Sequence, residues 1–160
     1  MSLELTNEER STLFGGVLSA AMAVMAVDMG IVSCAQEAMA LGRELSAASA
    51  RHAANPLLSS LFDPEALRRG IRPDRLEVTP DDVRSGKVLD RALEEVDRAL
   101  AVARARADEA TVGEYSRLIV DACEAVAKAA GKGLFGPGEK VSEGERAALA
   151  RIRAHLGHNA

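Results

Sequence analysis

Asp28 and Glu37 come nearest to cation chemistry in this chain. Asp28 closes an apolar run, and Glu37 follows in the opening turn of the next predicted helix. Together the two carboxylates could hold a hard cation through oxygen. Asp28 can equally cap the turn behind it as an Asx motif. The segment is not a calcium loop: counted from Asp28, the sixth position is Ser33 and the twelfth Met39, where glycine and glutamate are needed.

Lys132, Phe135 and Lys140 mark a second candidate, a glycine-rich segment ahead of a predicted helix. A helix N-terminus binds anions, and the lysines add charge. No strand precedes the segment and no Gly-Lys-Ser/Thr runs into the helix, so it is not a Walker loop. Three uses stay open: an anion loop, an apolar loop facing a partner, or a turn that inserts Leu134 and Phe135 into the core.

The remaining reactive residues are scattered. Met22, Met25 and Met29 share a helical face, with Met39 on the next helix, which suits soft copper or the filling of core gaps. His155 and His158 flank Gly157 near the chain end, where a frayed tail is expected, and His52 is distant in sequence; no zinc set is visible. Cys34 and Cys123 lack a resolving partner and read as packing thiols. Arg68, Arg69, Arg72 and Arg75 form a basic stretch without aromatics, hence a solvated face or a contact for an acidic protein. No Ser/His/Asp, Cys/His or Glu-x-x-His arrangement occurs, so no catalytic residue and no cofactor are predicted.

The elements that position these residues are marked by their caps. Thr6/Glu9, Ser33/Gln36, Thr111/Glu114 and Ser142/Glu145 have capping-box spacing. Thr79-Pro80-Asp81-Asp82 places proline at a first helical position with acids behind it. Gly131 and Gly157 suit left-handed C-terminal caps. Apolar residues at three- and four-residue steps then predict long helices at about 7–28, 34–53, 80–108, 112–130 and 143–156. Asn55-Pro56 and Asp63-Pro64 predict short helices at about 56–62 and 64–69, inside a proline-rich crossover over 54–79. No segment alternates with period two. The prediction is all-α: one irregular antiparallel helical bundle of five main and two short helices, without sheet, spanning 1–160 as a single domain.

The chain has 160 residues, 48% of them hydrophobic and 28% charged, enough to fold one core. Aromatics are 2%, so alanine, leucine, valine and methionine must fill that core. A net charge of −4 argues against a nucleic-acid binder. Residues 11–27 are uncharged, about the shortest length that spans a bilayer, but serine, threonine and glycine interrupt them. Glu4, Glu8 and Glu9 precede the run against Arg10 alone, unlike a signal peptide. A buried helix, no membrane span and a reducing cytoplasmic setting are predicted.

The segment Ala26-Val27-Asp28-Met29-Gly30-Ile31-Val32-Ser33 resembles the helix–loop–helix signature of the TerB-like, tellurite-resistance superfamily. Gln36 stands where that signature has an acid, with Glu37 adjacent. The resemblance implies an all-helical fold, bacterial stress or envelope association, and metal binding by acidic residues, here Asp28. Residues 139–149 echo the pattern, with Pro137 where the Asp would fall. Arginine in excess over lysine suggests a GC-rich bacterial source.

The apolar excess without catalytic groups points to a non-enzymatic binding or interaction module with a protein partner or a homodimer. A metal- or anion-responsive protein and a carrier of small hydrophobic ligands are the alternatives.

Overall fold

Arg10 opens the apolar run of the first helix, and the structure buries that run on nearly every side. A computed structural model of the protein describes residues 3–27, 34–70, 73, 79–130 and 141–158, with side chains left undescribed at 34–37, 84 and 130. Helix α1 (Asn7–Ala26) starts at the Thr6 capping box. The Glu9 amide donates to Thr6 Oγ1 at 3.1 Å, and the Thr6 amide donates to Glu9 Oε2 at 2.8 Å. Helices α2 (Cys34–Arg51), α3 (Pro56–Leu61), α4 (Pro64–Arg68), α5 (Pro80–Arg84), α6 (Lys87–Arg106), α7 (Glu109–Ala130) and α8 (Glu143–His155) follow. The described residues contain no strand, as the absence of period-two alternation predicts.

Helix α1 is the axis of the packing. It lies chiefly against α6 and α7 and also touches α2, α3 and α8. Small residues permit this. A Cβ placed on Gly16 would lie 2.5 Å from Ala99 Cβ and 2.9 Å from Tyr115 Oη. The α1–α6 contact therefore closes to a distance only a glycine–alanine pair allows. Tyr115 is fully buried, and its hydroxyl donates to the Leu13 carbonyl at 2.7 Å, which satisfies the polar atom of a large core residue. Around this seam the core gathers Val17, Ala20 and Val24 with Val96, Leu100, Leu118, Ile119 and Ile152.

The short helices match their sequence signals. Asn55 Oδ1 accepts from the Leu57 and Leu58 amides, both at 3.0 Å. Asp63 Oδ1 accepts from the Glu65 amide at 2.9 Å. Leu57, Leu58 and Leu61 then enter the core, and Phe62 meets Phe14 edge to face at 5.7 Å between ring centroids.

Two predicted boundaries are corrected. The helix expected over 80–108 is broken: Ser85 ends α5, and Gly86, at φ +70°, starts α6 from the left-handed region. Arg91 Nη1 donates to Asp82 Oδ2 at 3.0 Å across the break. Among the described residues there are thus three short helices rather than two. The Thr111/Glu114 pair does not cap α7. Asp108 Oδ1 takes the Thr111 amide at 2.8 Å, so α7 begins earlier, at Glu109, and Glu114 is free to turn elsewhere.

The close approach at Gly16 is testable against an uncrowded glycine. Gly16→Ala is expected to lower stability by about 1–3 kcal/mol through overpacking. Gly42→Ala, exposed on α2 with nothing within 4 Å of the added methyl, is expected to raise it by about 0.5–1 kcal/mol through helix propensity. Denaturant melts of both variants beside the parent check the pair; equal shifts would contradict the packing.

Candidate functional site

The N-terminal turn of α1 and the α2–α3 corner are distant in sequence but meet in space. The corner is held from below. His52 Nδ1 lies 3.0 Å from Glu114 Oε2 on α7. Asn55 Nδ2 donates to the Thr111 carbonyl at 3.4 Å while its Oδ1 caps α3. The other edge is held by Arg106 at the end of α6, whose guanidinium binds the Glu4 carbonyl and pairs with Glu9 at 3.3 Å. Between these clamps lies a groove of about 970 Å³. Thr6, Asn7 and Arg10 form one wall, Ala54 and Ser59 another, and Asp63 and Arg69 extend it along α4.

Arg10 is the unusual member. Its residue is only 5% exposed. Nε donates to the Ser60 carbonyl at 3.1 Å, and Nη2 reaches Ser60 Oγ at 3.5 Å. Both partners are neutral. The Ser60 carbonyl belongs to the last turn of α3, where the helix dipole favours a cation, but no carboxylate among the described residues forms an ion pair with Arg10. Exposed arginines fare differently. Arg51 pairs with Glu44 and Asp121, Arg91 with Asp82, and Arg151 with Asp90. Those three solvated guanidiniums have carboxylate partners, whereas the buried Arg10, which cannot shed its proton, has only neutral acceptors among the described residues.

Elsewhere the charged groups serve the scaffold. The hydrogen bond from His52, then that from Asn55, holds the Glu114 carboxyl below the usual range. The hydrogen bond from Arg153 does the same for Glu124, and that from Thr79 for Asp82. Burial pushes the Cys123 thiol and the Tyr115 hydroxyl far up, so neither ionises near neutrality. His52 Nε2 is the one buried side-chain polar atom among the described residues without a partner.

The sequence candidates distribute unevenly. Asp28, Lys132, Phe135 and Lys140 lie outside the described residues, as do Ser33, Met29, Arg72, Arg75 and Gly131. Glu37 lies in α2 with its side chain undescribed. Among the described residues no group of three or more His, Cys, Asp or Glu could hold a metal. Met25 packs against the core, but Met39 is 58% exposed and does not. The C-terminal end is more ordered than a frayed tail: His155 Nε2 lies 2.7 Å from Asp97 Oδ1, and Gly157 at φ +75° lets the His158 amide reach the Arg153 carbonyl at 2.8 Å. Arg68 and Arg69 are exposed at the end of α4, and only Arg69 reaches the groove. Arg10 had no signal beyond being the lone base at the head of an uncharged run.

No described helix is long and apolar enough to cross a membrane. Comparison with protein families, curated proteins and solved structures returned no match.

The depressed Glu114 carboxyl makes stability pH-dependent. Its folded-state value lies below the ordinary 4.5, so its contribution is present above that pH and is lost as pH falls through the lower folded value. Glu114→Gln is expected to be less stable near neutrality and to lose less on acidification below 4.5 than the parent. Thermal melts across that range provide the check.

Proposed function

We propose that this protein is a non-enzymatic helical interaction module that receives its partner in the groove between α1, the α2–α3 corner and α4. The observation that carries the reading is the buried Arg10 guanidinium lining that groove with only neutral partners among the described residues. Burial of a charge is unfavourable unless a counter-charge or several hydrogen bonds offset it. An occupant that brings negative charge supplies the missing term, so binding is favoured where the free protein is least satisfied.

The rest of the geometry supports the same reading. The groove is shaped by rigid parts: capped helix ends on one side and the His52–Glu114 and Arg106–Glu9 links on the other. Such pre-formed sites lose little entropy on binding. The lining is polar, with Glu4, Thr6, Asn7, Ser59 and Asp63 beside the arginines, which favours a charged occupant over a small hydrophobic ligand. No nucleophile with an adjacent base lines it, in keeping with binding rather than turnover. An anion-responsive role is the small-ligand version of this reading, with the same residue as receptor. A cytoplasmic, stress-related setting and a TerB-like kinship accompany the proposal as its biological frame.

Titration of a mixed pool of end-blocked peptides into isotope-labelled protein tests the module. Amide shifts are expected to cluster at Thr6, Asn7, Ala54, Ser59 and Asp63, and Ser59→Trp, which fills the groove from an exposed position, is expected to abolish them. Shifts elsewhere, or none, would overturn the groove as the interaction site. Peptide cleavage or modification during the titration would overturn the non-enzymatic reading.

A further inference from the structure

The Arg10 guanidinium is oriented by its fold partners before anything binds. Nε is fixed on the Ser60 carbonyl and Nη2 touches Ser60 Oγ. Nη1 has no hydrogen-bond partner among the described residues and is not among the buried unpartnered atoms, so it faces the groove that Arg10 lines. A pre-oriented guanidinium of this kind can give a carboxylate a charge-assisted hydrogen bond through Nη1.

The groove is larger than that one contact requires. Its volume of about 970 Å³ lies at the upper end of small-molecule sites and far exceeds a single ion. Arg69, exposed beside Arg68 at the end of α4, also lines the groove. The groove lining therefore includes one buried cation and one exposed one. Glu4 and Asp63 also line it, which disfavours a compact dianion such as phosphate more than single charges spread along a chain.

Resting on the reading of the groove as the interaction site, we infer that its occupant is an acidic peptide segment of a partner protein, with one side-chain carboxylate on Arg10 and another near Arg69. The buried contact sets the register, and the exposed one adds attraction that salt screens.

Fluorescence anisotropy with an end-blocked, glutamate-rich peptide, its glutamine counterpart, and the glutamine peptide with a free C-terminus tests this. The glutamate peptide is expected to bind at least about tenfold more tightly than either glutamine peptide. Added salt is expected to weaken it, and Arg69→Gln, an exposed change that leaves the core untouched, to weaken it about threefold. Arg10→Lys keeps the charge but loses the planar donor anchored on Ser60 and is expected to weaken it about tenfold at unchanged helicity. Comparison of the unmutated protein's affinities for the three peptides does not depend on any variant folding. Equal affinity for the glutamate and glutamine peptides would overturn the acidic occupant while leaving a groove-mapped module intact. Equal binding of the free C-terminus would transfer the carboxylate to a chain end and overturn the side-chain assignment. Displacement of the glutamate peptide by inorganic phosphate or acetate at matched ionic strength and comparable concentration would replace the peptide with a small anion and overturn it too.

Discussion

A helix buried on nearly every side must have a surface its neighbours can approach, and α1 meets that demand with small residues. Gly16 sits so close to Ala99 and Tyr115 that a single methyl group would collide with both. With aromatics at 2% of the chain, bulk cannot fill the interior, so close helix approach has to. Other placements follow from that seam. It fixes α6 and α7 against α1, sets the depth of Tyr115, and leaves the first turn of α1 at the edge of the core. Arg10 is therefore buried but still reachable from one side.

The short helices turn that edge into one side of the groove. Asn-Pro and Asp-Pro pairs start α3 and α4 abruptly, each with its own amide cap. The chain thereby folds back over the head of α1 within a few residues. Leu57, Leu58 and Leu61 pull α3 inward, and the carbonyl at its last turn meets the guanidinium. The same leucines that complete the core thus lower the solvation of Arg10. On the proposed reading, stability and recognition share residues, because the packing that completes the core also encloses the charge.

How much of this was legible depends on the range of the signal. Caps are local, and Thr6/Glu9, Ser142/Glu145, Asn55 and Asp63 act as their spacing predicts. Short-range competition explains the failures. Ser85-Gly86 lies inside an unbroken apolar periodicity, and only the positive φ of Gly86 shows that the helix stops there. Asp108, three residues ahead of Thr111, takes the amide first and displaces the box expected from Thr111 and Glu114. The groove was illegible for another reason. It joins residues 3–10 to residues 53–69, and no spacing rule connects them. Arg10 was visible only as a charge in a leader count; its burial depends on where α3 lands. The residues that drew notice by type, Asp28, Glu37, Lys132, Phe135 and Lys140, fall where the structure describes no side chain, whereas Arg69 drew notice as part of a charge run and does reach the groove.

The chain carries one tyrosine and no tryptophan. That tyrosine is the fully enclosed Tyr115, hydrogen-bonded to the backbone of α1. The near-ultraviolet optical signature of the molecule thus originates almost wholly at one point, where α1, α6 and α7 converge. The protein comes with an internal probe of whether its central helix is seated, and a fluorophore introduced at the groove would be read against a nearly dark background.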